Sequence, residues 1–400
     1  MIFTAAFLHS EYLSNIAAIS GSQMIFNYHS AHMIFFIVFA LTFVVQLFYY
    51  LYYYLAAALH RDTDLNNMKD PPVSVIICAR NEEENLKSFL PSVLDQDYPD
   101  YEVIVVNDCS EDETYDILGE YLKKYPNLKV SNISKDPKFT HNKKFAQFIG
   151  IKAAKNEFLI FTDADCRPES NKWLHYIAAG FNDTIDFVLG YGGYFSEKGL
   201  LNKYIRYDSM VIAMQYFGMT IRRAPYMGVG RNLAYRRSMF FSKKGFGRHT
   251  HLASGDDDLF VNDNGSGDNC AVECRKESHT RSVPAKSFSS YFKQKKRHFS
   301  TANHYRYETK ILLIAEPLSR ILFYLSFVFL LSQLFLWPFV LSIFAVRIIV
   351  RFSVLYLIQA KLNERGLLLY LPIFDIISPF INTVFYIGSL RQSTGKDRWK

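Results

Sequence analysis

From Met33 to Leu59 the chain carries no charged side chain, a run longer than the ~20 residues a helix needs to cross a hydrocarbon layer. A second apolar tract runs from Ile311 to Leu390, while the stretch between Asp70 and Arg306 has the mixed charge of a globular domain. The sequence therefore predicts a polar middle enclosed by membrane segments. Half of its 400 residues are hydrophobic and 21% are charged, which excludes a disordered chain. Five cysteines without paired spacing give no disulfide framework. Cys270, Cys274 and His279 lack the CxxC pairing of a zinc site and read as ordinary loop or core residues.

Positions 1 to 32 hold neither Lys nor Arg, whereas Arg61, Lys69 and many later cations follow the first apolar run. The positive-inside rule then puts residues 1–32 outside, 33–59 across the membrane, and the middle in the cytosol. A leading segment without basic residues does not resemble a cleavable signal peptide, so an uncleaved anchor in a cell (inner) membrane is expected. After a linker at 60–70, the soluble domain is expected over 71–310. The region 311–390 offers segments near Leu318 to Trp337, Phe339 to Ile358 and Leu367 to Leu390, with a basic tail at 391–400. Arg347 and Arg351 share one helix face, which is costly against lipid unless they pair, snorkel or face protein. Three crossings would export the basic tail, so charge favours two crossings plus one interfacial or re-entrant segment.

Within the middle, Val73 to Cys78 reads as a buried strand, followed by polar Ala79 to Glu83 and a helical pattern. The unit recurs: Glu102 to Val106 leads to Asn107 and Asp108, with a helix from Glu111 to Lys124, and Phe158 to Thr162 leads to Asp163, Ala164 and Asp165. Such repetition predicts an α/β fold, a mostly parallel sheet with helices on both faces. Ligands of these sheets collect beyond the carboxyl ends of the strands, where all three polar clusters fall. Neither GxGxxG nor GxxxxGK is present, which disfavours dinucleotide and P-loop sites.

Asp163 and Asp165 flank a small residue at a strand end, a pattern able to aim two carboxylates at a hard cation such as Mg²⁺ or Mn²⁺. Asp256, Asp257 and Asp258 follow Gly255, and three adjacent acids call for a compensating cation or a proton-transfer role. Tyr291 to His298 combines cations with aromatics, suiting either an anionic membrane surface or a phosphate clamp. No nucleic-acid reader motif is present. Gly228, Gly230, Arg231 and Asn232 form a GxGRN stretch that reads as an acceptor or diphosphate pocket or as a plain turn. His249 and His251 alternate as ligands could, with loop packing the simpler reading.

Together these segments resemble family 2 glycosyltransferases, in the membrane-embedded branch that includes cellulose, hyaluronan and poly-N-acetylglucosamine synthases and ceramide glucosyltransferase. The resemblance covers roughly Pro72 to His298 and implies a GT-A-like, Rossmann-like fold. It implies that Ala79, Arg80, Glu82, Asp108, Lys143, Asp163, Gln294 and Arg297 bind the nucleotide-sugar donor, with Gln294 and Arg297 at the first and fourth positions of QxxRW. Asp165, with Asp163, would hold the metal. Asp257 matches the catalytic base, with Asp256 adjacent as the alternative. The fifth QxxRW position is His298, where polymer synthases place Trp under the acceptor sugar. That departure favours single addition; His298, Arg231 and Asn232 are the acceptor candidates.

The expected function is inverting, metal-dependent transfer of a sugar, from a UDP-sugar by family frequency, to a lipid or lipid-linked glycan acceptor at the cytosolic membrane face. Cell envelope glycan biosynthesis is the setting. A processive polysaccharide synthase shares the chemistry and differs in product length. A non-catalytic membrane scaffold or transport subunit is the rival of another class.

Overall fold

The computed structural model describes residues 30–61, 70–135, 142–250, 252 and 254–390. The chain divides into two compact units, one of residues 50–313 with 352–400 and one of residues 1–49 with 314–351.

The larger unit is built on a seven-stranded sheet in the order β3-β2-β1-β4-β8-β6-β9. Its strands are β1 (Val73–Ala79), β2 (Tyr101–Asp108), β3 (Leu128–Ile133), β4 (Phe158–Asp163), β6 (Phe187–Gly190), β8 (Leu233–Arg236) and β9 (Cys270–Glu273). Strands β1 to β4 run parallel, and β8 is antiparallel to both β4 and β6. The mostly parallel sheet matches the sequence expectation. The antiparallel insertion does not follow from local pattern, because Leu233 to Arg236 is too short to declare its partners.

All seven residues of β1 are buried, as a strand covered on both faces requires. Val73, Val75, Ile77 and Ala79 join a core with Leu86, Leu90 and Trp173. On the opposite face the helix Lys143–Ala153 comes so near that a Cβ on Gly150 would lie 2.7 Å from Ile76 Cγ2. Only glycine permits that approach. A three-stranded sheet, order β5-β10-β7, joins β5 (Cys166–Pro168), β10 (Thr280–Ser282) and β7 (Gly192–Tyr194).

Four helices among the described residues are long and apolar enough to cross a membrane: Ser30–Leu59, Tyr307–Ser332, Trp337–Lys361 and Leu368–Leu390. Pro338 sits in the first turn of the third, where proline is accepted. In the smaller unit, Phe39, Phe323, Leu330 and Val340 form an apolar core. Arg347 and Arg351 are 0% and 1% exposed, so both face protein rather than lipid. Arg347 donates to Gln46 Oε1 at 2.9 Å and Tyr324 Oη at 2.7 Å. In the larger unit the final helix, continued as Leu371–Leu390, packs Phe385 edge-on against Tyr291 and Phe292 of the helix Phe288–Phe299.

Candidate active site

The polar clusters converge at the carboxyl ends of β1, β2 and β4. Asp108 ends β2 fully buried, with the Arg80 guanidinium 3.8 Å away. Ala79 closes β1, and Asn81 takes a positive φ of 53° as the chain turns away. Glu82 faces the following helix, its Oε2 accepting from Asn85 Nδ2 at 2.5 Å.

Asn142 caps the helix Lys143–Ala153 by accepting from the Phe145 amide at 2.9 Å, and this fixes the next side chain over the sheet end. Lys143 Nζ lies 2.7 Å from Asp163 Oδ1 and 3.4 Å from Asp256 Oδ2, bridging two acidic motifs far apart in sequence. Burial alone would depress this ammonium, but Asp163, Asp256 and Asp257 raise its pKa well above the usual lysine value. Lys144 points elsewhere, donating to the carbonyls of His249 at 2.6 Å and Leu252 at 3.1 Å.

Asp163, Asp165 and Cys166 present ligand atoms within 4.8 Å of one another. Burial and the Asp165 and Asp163 carboxylates push the Cys166 thiol well above its ordinary pKa, leaving two carboxylates as the oxygen donors that Mg²⁺ or Mn²⁺ takes. This donor set fits such an ion. Burial opposes ionisation of Asp163, yet Lys143, Arg231 and Arg297 hold its pKa below the usual aspartate value. Asp165 Oδ2 accepts from Ser282 Oγ at 2.9 Å.

The three consecutive aspartates have separate environments. Asp256 is buried against Lys143. Asp258 is locked from three sides, accepting from Thr301 Oγ1, from Tyr305 Oη at 2.7 Å and from the Leu259 amide at 2.7 Å. Asp257 caps the helix Asp258–Asn264 and accepts from the Gly230 amide at 2.7 Å. Burial, then the charges of Asp256 and Asp258, push its pKa up to about 7.

Gln294 and Arg297 stand one turn apart on the helix Phe288–Phe299. Gln294 Nε2 donates to Tyr194 Oη at 3.1 Å, and the Arg231 guanidinium lies 4.3 Å from the centre of that ring. Arg297 forms no side-chain hydrogen bond or ion pair among the described residues. His298 is exposed. Lys295 and Tyr291 anchor this helix, both donating to Asp208 Oδ2, at 2.8 and 2.7 Å.

Arg231 and Asn232 part company despite adjacency. Arg231 donates to the Gly192 carbonyl at 2.9 Å beside the cluster. Asn232 is fully buried, accepting from Trp173 Nε1 at 3.0 Å and donating to the carbonyls of Tyr191 and Ser278. Its side chain is consumed by the core and offers no surface to an acceptor. His249 pairs with Asp263 at 3.0 Å, and His251 lies outside the described residues. Sequence reasoning missed Tyr194 and Ser282. Both sit on the small sheet, whose three-residue strands carry no periodic signal.

Residues 74–241 match the family described as Glycosyl transferase family 2. The chain therefore carries a family 2 glycosyltransferase domain. The fold is GT-A-like: a mannosyltransferase, PcManGT from Pyrobaculum calidifontis, solved with GDP-Man and Mn²⁺, superposes with a TM-score of 0.55, covering 83% of this chain and 99% of that one at 16% identity. Among sequence relatives, the Bacillus subtilis protein named "Probable glycosyltransferase YdaM" is 32% identical over 183 residues, 43% of this chain and 42% of its own. The Staphylococcus aureus poly(ribitol-phosphate) beta-N-acetylglucosaminyltransferase TarS is 38% identical over 97 residues, 23% of this chain and 16% of its own. The chain thus spans less than half the length of these two relatives.

Proposed function

We propose that this protein is a membrane glycosyltransferase that moves one sugar from a nucleotide-sugar donor to a lipid or lipid-linked acceptor, with inversion. The observation that carries the reading is the Lys143 bridge. One cation joins the DxD carboxylate Asp163 to the aspartate row that contains Asp257, so donor-binding and proton-transfer groups share one pocket.

Asp257 has the properties of a general base: it is partly accessible, and a pKa near 7 lets it hold a proton in its neighbourhood's working range. It takes the acceptor hydroxyl proton as that oxygen bonds to the anomeric carbon and the bond from that carbon to the diphosphate oxygen breaks. Arg297 and Arg231 stand ready for the charge that develops on the departing diphosphate, a preorganised electrostatic role. Asp163 and Asp165 would hold Mg²⁺ or Mn²⁺, which supplies Lewis-acid stabilisation of that leaving group. Asp108 and Arg80, deeper at the sheet end, fit the nucleoside.

By family frequency UDP-sugars are the first donor class to test, with GDP-Man, the donor solved in complex with PcManGT, tested beside them. The four apolar helices support placement as a multi-pass protein of the cell membrane, and the cations that follow the first helix support a cytosolic catalytic domain. Packing of Phe385 on the Phe288–Phe299 helix supports an interfacial place for the last segment.

The test is nucleoside diphosphate release by the detergent-purified full chain across a panel of nucleotide sugars, with membrane lipid extract as acceptor. Release from one donor class that requires Mg²⁺ or Mn²⁺ and disappears in Asp165→Ala is expected. A folded protein inert toward every donor would transfer the case to the scaffold reading.

A further inference from the structure

Within the larger unit, a short loop after the helix Trp337–Lys361 buries one acid, Glu364, which is 0% exposed. Asn363 and Gly366 on either side take positive φ values of 52° and 77°, so the turn is bent to deliver that side chain. Three elements converge on it. Glu364 Oε2 accepts from Arg206 Nε at 2.7 Å, on the helix Leu200–Ile221, while Oε1 accepts from Tyr191 Oη at 2.9 Å and from Arg281 Nη1 on β10. Arg281 Nε reaches on to Glu169 Oε1 at 3.1 Å, just beyond β5. A charge this deep requires its partners, because an unpaired one would be strongly disfavoured.

The neighbour of Arg281 on β10 is Ser282, the residue that donates to Asp165. Successive side chains on a strand point to opposite faces. Arg281 is therefore held by Glu364 on one face while Ser282 holds the DxD carboxylate on the other. Register reinforces the link, since Ser282 pairs with Cys166, next to Asp165, and with Tyr194, the ring that carries Gln294 and Arg231. Gly193 leaves room for it, for a Cβ there would overlap the Arg281 guanidinium. A cavity of about 460 Å³ lies against this network, lined by Tyr194, Ser196, Arg206 and Arg281 among others.

We infer that Glu364 is a positioning residue of the active site: a carboxylate from the loop between two apolar helices clamps Arg281 and so sets β10, Ser282 and the orientation of Asp165 toward a divalent cation. The inference rests on the proposed reading of Asp165 as a metal ligand. It assigns a positioning duty to a residue more than 100 positions beyond the family 2 match, on the loop between two apolar helices.

The test is Mn²⁺ binding to the full chain in detergent, followed by electron paramagnetic resonance of the free ion, with thermal melting as a check on folding. Glu364→Gln keeps the shape and loses the charge; Ser282→Ala cuts the last link of the route and touches no other element of the clamp. Outer-shell partners of metal ligands are worth about 10- to 100-fold in affinity. Glu364→Gln and Ser282→Ala are each expected to weaken Mn²⁺ binding by about tenfold, with Glu364→Asp restoring part of the loss. If Glu364→Gln does not fold, Ser282→Ala and Glu364→Asp carry the comparison. Wild-type affinity in folded Glu364→Gln, or in Ser282→Ala, overturns the inference while leaving the metal site standing. Failure of the wild type itself to bind Mn²⁺ removes the metal reading and the inference with it.

Discussion

The backbone amide of Gly230 donates to Asp257 Oδ2 at 2.7 Å, so the turn before β8 and the cap of the Asp258–Asn264 helix meet at one carboxylate. The contact explains the glycine. A Cβ at position 230 would lie 3.2 Å from Lys143 Nζ and 3.3 Å from Asp257 Oδ2, inside the pocket itself. Gly230→Ala is expected to lower transfer by about tenfold or more, because misplacing a reacting group by a fraction of an ångström is costly. Melting temperature should change little. Wild-type turnover in the variant would mean that the acceptor hydroxyl does not approach between these groups.

A base with a pKa of about 7 gives the reaction a signature in pH. The rate at saturating donor should rise through neutrality as Asp257 deprotonates, and the acid limb should vanish in Asp257→Asn. The same shift predicts a stability effect of definite sign. A raised folded-state pKa contributes stability below the unfolded value of 3.8, and this is lost as pH rises through about 7. Asp257→Asn should therefore raise the melting temperature, and by more at pH 8 than at pH 5. An equal change at both values would contradict the shift.

The neighbouring aspartate behaves differently. Asp258 is tied to Thr301, Tyr305 and the Leu259 amide, so Asp258→Ala leaves buried hydroxyls without their acceptor. Hydrogen bonds to a buried charge are worth about 1.5–3 kcal/mol each. Thermal denaturation should show a fall of several degrees for Asp258→Ala, against no fall for Asp257→Asn at pH 8. The reverse order would exchange the structural and chemical roles of the two.

Much of this site was legible from residue types, and the reasons differ by residue. Asp108, Asp163 and Asp165 announce themselves because buried β-branched runs end at them, whereas Lys143 came only from the family resemblance, its cap and its two aspartate partners being visible in the fold alone. The choice among Asp256, Asp257 and Asp258 was not legible, since it turns on which partners three different segments bring. Asn232 misled for the same reason: an amide beside an arginine looks chemical until Trp173, Tyr191 and Ser278 are seen to occupy it. Tyr194, Ser282 and Glu364 left no trace in periodicity. Their roles come from a small sheet whose strands are drawn from positions as far apart as 166 and 282 and from a loop whose target is distant in sequence.

Product length separates single addition from polymerisation. His298 stands exposed at the position where polymer synthases carry Trp, and it offers a growing chain no broad apolar floor. Mass spectrometry of the product made with excess donor should give one added sugar per acceptor. A ladder of regularly spaced masses would establish a processive enzyme and displace the single-addition account.

The central claim is that Asp257 acts in bond formation rather than donor capture. The most direct measurement pairs single-turnover transfer with equilibrium donor binding, for wild type and Asp257→Asn, at pH 8 with Mn²⁺ present. Transfer should fall by about 10²-fold or more, the scale of general-base catalysis, with donor affinity within a few-fold of wild type. Parallel losses in both, or a variant that still transfers at the wild-type rate, would contradict it.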